Sequence, residues 1–443
     1  MTASFLQILI FLITGIAVIV LLTARYRVHA FFALLIACFI VGLGIQMPVA
    51  DIIATAKEGF GSIMKSLGLI IVLGTTLGVL LQHTGSTNVI AAFIVRKTGP
   101  RYAALAMSIT GFIVGLPVFC DSGYIVLNGL NLSLAKRTGT PVVIMSVSLA
   151  TSLLAVHCLI PPHPGAAAAA ATIGVDFGKL MLTGIIIAIP AMLVGYWWAN
   201  YTGKKMPLII SQEENSAEVL VHPPSLFSAV LPVIIPIILI AFKSFLSIEK
   251  NNNAFLVNLF SALGDPVIAL AVGVLLAFAA GRLWTRETIS RLLTESAEKA
   301  GGILVIIGGG GAFGAILSAA KIGQHFSESV ALGSMGLLFP FLMTAILKTA
   351  QGSSTVAIIT AASIVQPLLP ALGLQAPNGE LICVLAMGAG SMTVSHANDA
   401  YFWVISKFSG IGMKSMLRVY TVATGLMGLI TLLMVWILSL VLL

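Results

Sequence analysis

Apolar runs long enough to enter a lipid bilayer recur from one end of the chain to the other. They fall at about 4–23, 28–45, 62–82, 102–118, 121–135, 141–160, 165–174, 180–201, 225–246, 255–281, 300–320, 332–349, 353–370, 380–394, 399–408 and 415–442. About 20 helical residues cross a hydrocarbon core of about 30 Å. Several of these runs are shorter, and their places are informative. Residues 102–118 and 121–135 flank Pro117-Val118-Phe119-Cys120-Asp121-Ser122-Gly123, and residues 332–349 and 353–370 flank Ala350-Gln351-Gly352-Ser353-Ser354. Both pairs predict helical hairpins that enter the membrane and turn back. Residues 141–174 break at Pro161-Pro162-His163-Pro164-Gly165, and residues 380–408 break at Ser395-His396-Ala397-Asn398-Asp399. Proline removes an amide donor and ends a helix, which interrupts the first; a short polar run interrupts the second, and each break predicts a transmembrane helix split into two.

One clearly hydrophilic stretch, 202–224 with Glu213, Glu214 and Glu218, divides the chain into halves 1–201 and 225–443. Each half contains a helix, a hairpin and a broken helix in that order. Gly68-Leu69-Ile70-Ile71-Val72-Leu73-Gly74 resembles Gly302-Ile303-Leu304-Val305-Ile306-Ile307-Gly308. The intervals from Gly74 to Asp121 and Pro161 nearly match those from Gly308 to Gly352 and Ser395. The pattern predicts an internal duplication.

Composition settles the solvent. Of 443 residues 58% are hydrophobic and 9% charged, with a mean hydropathy of +1.08; a soluble domain carries about 25% charged residues. The net charge of +8 could invite a nucleic-acid partner. The basic residues instead sit in short clusters between apolar runs: Arg25/Arg27, Arg96/Lys97/Arg101, Lys136/Arg137, Lys204/Lys205, Arg282/Arg286/Arg291 and Lys407/Lys414/Arg418. That is the positive-inside pattern of a membrane protein. It puts the amino terminus outside the cytoplasm, the first hairpin opening from inside and the second from outside, with Lys321 the discordant residue. The expected fold is therefore an all-α polytopic membrane protein with inverted repeats, two re-entrant helical hairpins and two broken transmembrane helices. Met1–Leu22 lacks a positive leader and a small-residue cleavage site and reads as a retained first helix. Cys38, Cys120, Cys158 and Cys383 all lie in apolar runs without metal-ligand spacing.

Non-helical backbone at membrane depth is tolerated only where protein or a water-filled cavity satisfies its polar groups. Four such breaks predict one central site, with helix amino ends directed at an anion. Asp121 is the sharpest candidate, since a carboxylate in an apolar stretch is costly and marks coupling or binding of substrate hydroxyls; capping of the following helix is the alternative. Ser353, Ser354 and Thr355, after Gly352, are candidates for cradling a carboxylate with hydroxyls and amides, with capping alone as the alternative; Ser122 is a further substrate-binding candidate and Gly352 a cavity candidate. Lys348 is a candidate partner for the substrate, Asp121 or Asp399, with snorkelling as its alternative. His163 is a candidate proton carrier, because imidazole titrates near neutral pH; Asp399 is another, with capping of the next helix as its alternative. Ser395, His396 and Asn398 join the matching break, Asn398 as a hydroxyl reader. His157 reads as a structural polar residue on the preceding helix. Gly308–Gly311 lacks a following Lys-Ser/Thr and a preceding strand, so it predicts close helix packing rather than phosphate binding. Ala166–Ala171 reads likewise. No metal site, cofactor motif, Walker motif or hydrolytic signature is present, so uphill transport would draw on an ion gradient.

The runs His157-Cys158-Leu159-Ile160-Pro161-Pro162-His163-Pro164-Gly165 and Gly352-Ser353-Ser354-Thr355-Val356-Ala357, and Ser395-His396-Ala397-Asn398-Asp399 with Phe402-Trp403, resemble the gluconate permease family of the ion transporter superfamily. The resemblance spans essentially the whole chain, including Leu263-Gly264-Asp265-Pro266. It implies a proton-coupled importer of gluconate or a related sugar acid, with relatives that carry D-serine or small hydroxy acids. It also implies a bacterial inner-membrane location and a homodimer with a scaffold part, including 225–281 and the first two helices, and a hairpin-bearing transport part. Where gluconate carriers have a Glu, this chain has the shorter Asp121. A sodium-coupled carrier, a membrane-embedded enzyme and a passive channel are the other readings the residues leave open.

Overall fold

The computed structural model describes residues 5–204, 223–246, 262–281, 284–320, 335–397 and 399–443, and the regular elements among them are all helical. The first half comprises α1 (Phe5–Val20, extended by a π turn over Leu21–Arg25), α2 (Ala30–Gly44), α3 (Val49–His83), α4 (Ser86–Thr98), α5 (Ala103–Gly115), α6 (Cys120–Thr138), α7 (Val142–Leu159), α8 (Pro164–Ile173) and α9 (Phe177–Gly203). The second comprises α10 (Leu226–Leu246), α11 (Pro266–Ala280), α12 (Arg286–Ala319), α13 (Leu338–Gln351), α14 (Ser354–Val365), α15 (Pro377–Met392), α16 (Ala400–Ser409) and α17 (Met413–Leu442, with a π turn over Leu417–Thr421).

Local chemistry sets these boundaries. Asp176, Asp265, Thr285, Ser353 and Asp399 cap α9, α11, α12, α14 and α16 with side-chain oxygens that accept backbone amides. Proline opens α8, α11 and α15, where its missing amide costs nothing. Gly139, Gly174, Gly352 and Gly410 close α6, α8, α13 and α16 at positive φ. The expected hairpins are α5–α6 and α13–α14, and the expected broken helices are α7–α8 and α15–α16. Two long helices extend past their apolar runs. α3 starts at Val49 and α12 at Arg286, because their polar first turns stay helical outside the hydrocarbon region. α4 follows an apolar stretch too short to register as a span. The linker residues 205–222, Lys321 and Asn398 lie outside the described residues.

The duplication is visible in the packing. α5 lies on α7 as α13 lies on α15, α7 on α9 as α15 on α17, and α8 on α14 as α16 on α6. α3 meets α12, α7 meets α15 and α9 meets α17, so counterpart helices touch across the relating axis. The leading helices obey the same rule: α1–α2 and α10–α11 form pairs, with α2 packing on α12 and α11 on α3. Each half thus lends its leading pair to the long helix of the other. The run containing α7 is 94% buried within the protein whereas that of α17 is 22% buried, which places α7 at the centre and α17 at the periphery.

Candidate functional site

A cavity of about 490 Å³ opens where the two hairpins and the two broken helices meet. That volume lies within the usual range for small-molecule sites, about 300–1,000 Å³. Four half-helices begin on its wall. Cys120, Asp121 and Ser122 come from the first turn of α6, Ser354, Thr355 and Val356 from that of α14, Pro164 from α8, and Ala400 and Tyr401 from α16. Each helix amino terminus carries about half a positive charge and amides without intrahelical partners. On α6 no side chain caps these amides, Phe119 being the residue before the helix.

The break between α7 and α8 is held from behind the cavity wall. Ile160 is extended, and His163 precedes Pro164 as the cap residue of α8. The His163 ring is 2% exposed and its Nε2 donates to the carbonyl oxygen of Gly115, the last residue of α5, at 2.6 Å. A carbonyl only accepts, so the Nε2 nitrogen holds the proton. His163 therefore ties the broken helix to the first hairpin and is not part of the cavity wall. His157 is: it borders the cavity and shares a 3.2 Å hydrogen bond between Nε2 and Thr355 Oγ1, across the two repeats. The two imidazole centroids lie 5.0 Å apart.

The second break is held by charge. Lys348, in the last turn of α13, is fully buried, and its Nζ lies 2.5 Å from Asp399 Oδ2 and donates to Gly352 O at 2.9 Å. Asp399 Oδ2 also accepts from Ser395 Oγ, and Oδ1 accepts from the Tyr401 amide at 2.9 Å. A buried carboxylate needs both a counter-charge and hydrogen bonds, and Asp399 has both. Of the three partners open to Lys348 from the sequence, the structure selects Asp399. His396 Nε2 donates to Thr349 O at 3.1 Å. Val394 sits at φ 54°, a region a β-branched residue rarely enters. Its neighbour Ser395 is clamped, its amide donating to Thr424 Oγ1 at 3.0 Å and its carbonyl accepting from Thr421 Oγ1 at 2.7 Å.

Asp121 is placed differently. It is exposed to the cavity, forms no ion pair among the described residues, and has only the Cys120 thiol near Oδ1 at 4.0 Å. The structure thus gathers Asp121, Ser122, Gly352, Ser353, Ser354, Thr355 and Asp399 on one wall. It places Lys348, Ser395, His396 and His163 in supporting positions. The sequence reading missed Gln351, Lys299 and Tyr401, which also border the cavity. A polar residue immediately before Gly352 in an apolar run was a usable signal for Gln351. Lys299 is on α12 and pairs with Glu295 at 2.7 Å.

Comparison with known proteins agrees with this architecture. The family model described as GntP family permease matches residues 6–441. A gluconate permease of Pseudomonas aeruginosa is 33% identical over 444 positions, covering 97% of this chain and 97% of that protein. A D-serine transporter of Escherichia coli strain K12 is 30% identical, covering 95% of this chain and 96% of its own length. The crystal structure of the YdaH transporter of Alcanivorax borkumensis superposes with a TM-score of 0.64 over 88% of each chain at 16% identity, a likeness of fold.

Proposed function

The chain belongs to the GntP permease family of membrane transporters, and we propose that it imports a small hydroxylated monocarboxylate of the gluconate class together with protons. One observation carries this reading: four helix amino termini converge on a cavity in which Asp121 is, among the described residues, the only lining carboxylate without a counter-charge. The substrate carboxylate is held by the uncapped amides of α6 and by the amides and hydroxyls at the start of α14. Its hydroxyls reach Asp121 and neighbouring side chains.

The same arrangement links the substrate to the proton. Two like charges about 4 Å apart in an effective dielectric of about 20 repel by about 4 kcal/mol. An anion therefore binds far better when Asp121 is neutral, and a proton binds far better when the anion is present. Asp399 is already engaged, with Lys348 and Ser395 on Oδ2 and the Tyr401 amide on Oδ1, so the proton is assigned to Asp121. With anion and proton both bound, the hairpins and broken helices move against the leading helix pairs and expose the cavity to the other side. We assign this cycle to the bacterial cytoplasmic membrane with the amino terminus outside, a reading that the basic clusters between the apolar runs support. Asp121 also favours a second reading, because an unpaired carboxylate suits the ammonium group of a zwitterion, and one relative is named as a D-serine transporter.

The test is uptake into proteoliposomes of labelled gluconate, D-glycerate, D-serine and 3-hydroxybutyrate under an inward proton gradient, with and without sodium. One hydroxy acid should accumulate with protons alone. Asp121→Asn, a stand-in for the protonated side chain, should lose accumulation while retaining exchange of labelled for unlabelled substrate. Accumulation that requires sodium would overturn proton coupling, and accumulation of D-serine alone would replace the hydroxy acid with the zwitterion.

A further inference from the structure

Gln351 is the last residue of α13 and borders the cavity at the tip of the second hairpin. Its side-chain Nε2 and Oε1 are both buried, and neither has a hydrogen-bond partner among the described residues. Buried amides are nearly always satisfied, so an exception calls for a cause. The groups around the tip are already engaged. The Gly352 carbonyl accepts from Lys348, the Ser353 hydroxyl accepts from the Val356 amide at 3.3 Å, Thr355 is bonded to His157, and Asp399 is fully committed. The left-handed Gly352, at φ 79°, turns the chain directly after Gln351 and holds the residue at the tip.

A primary amide offers donors on nitrogen and an acceptor on oxygen. A carboxylate would use only the nitrogen and would be repelled by the oxygen. A hydroxyl both donates and accepts, and so satisfies the two atoms together. We propose that Gln351 reads a hydroxyl of the substrate and sets the preference for hydroxylated over deoxygenated acids. A substrate held by Gln351 on one hairpin and Asp121 on the other bridges the two repeats. This inference rests on the proposed hydroxycarboxylate substrate and adds the residue that recognises its hydroxyl.

The experiment uses full-length protein in proteoliposomes with labelled gluconate or D-glycerate, whichever the wild type accumulates. Lactate, 3-hydroxypropionate and propionate serve as competitors, so that each hydroxyl of a three-carbon acid is removed in turn. In Gln351→Leu and in Gln351→Met, which is closer in length, KM for the labelled acid should rise about tenfold, the loss of one hydrogen bond to a buried group, with kcat little changed. Inhibition by propionate should stay as in the wild type, so discrimination falls by the same factor. Equal weakening of all the acids, or a change confined to kcat, would show that Gln351 only supports the hairpin and overturn the inference. A wild type that takes up neither labelled acid overturns the substrate reading, and the inference with it.

Discussion

At the scale of single residues, the two breaks are secured by counterpart devices of different chemistry. His163, at the start of α8, bonds the end of α5, and Asp399, at the start of α16, bonds the end of α13 through Lys348. One pin is a hydrogen bond to a backbone carbonyl and the other an ion pair with 0% and 8% side-chain exposure. Removing one member of a buried pair leaves an uncompensated charge, at a cost of about 3–5 kcal/mol. Lys348→Met should therefore lower the thermal unfolding midpoint in detergent, and Lys348→Met combined with Asp399→Asn, which keeps the capping oxygen, should recover most of the loss. If the double variant is as unstable as the two losses added together, the pair is not coupled. Asp121 could be found in the sequence because a carboxylate stands out in an apolar run. Gln351 stood out less and His157 read as structural, because an amide or imidazole draws meaning from whether its partners are taken. That depends on residues far away in the chain.

At the scale of elements, α3 and α12 cross where both present glycine. A Cβ added to Gly311 would lie 2.6 Å from the carbonyl oxygen of Gly59, so the backbones themselves are in contact. The glycine run is therefore a packing surface, as its apolar context predicts. Gly301, on the same helix, has nothing within 4 Å of an added Cβ. Gly311→Ala should reduce the yield of monodisperse protein on size-exclusion chromatography, whereas Gly301→Ala should leave it unchanged and raise stability by about 0.5–1 kcal/mol. Similar losses in both variants would mean that backbone propensity, not the crossing, sets the need for glycine. Hairpins and broken helices were legible because proline, glycine and short polar groups interrupt runs too short to span. The helical starts of α3 and α12 were not, since hydropathy detects the membrane and not the helix that continues beyond it.

At the scale of the whole molecule, the duplication reaches further than the sequence similarity shows. Only the segments around Gly74 and Gly308 retain a recognisable likeness, yet the leading pairs α1–α2 and α10–α11 occupy counterpart positions on α12 and α3. Inversion of the repeats makes a directional prediction. The hairpin ends at Arg137 and Ala376, both exposed, belong on opposite faces of the membrane. All four native cysteines are buried, so Arg137→Cys and Ala376→Cys can be introduced with little background. An impermeant maleimide added to intact cells should label Ala376→Cys only, and Arg137→Cys should react once the membrane is opened. Labelling of both from one side would contradict inversion.

The sequence by itself determined the solvent, the helical class, the four interruptions and the likeness between halves. These follow from local composition: apolar length sets the spans, and proline, glycine and capping residues set where they stop. Only the tertiary structure decided that the four interruptions share one cavity, that Lys348 pairs with Asp399, that His163 faces a backbone carbonyl while His157 meets the cavity, and that, among the described residues, Asp121 has no counter-charge and the Gln351 amide no partner. Each of these depends on which distant groups come within a few ångströms, and charge and hydrogen bonding in a buried site are settled at that distance and not along the chain.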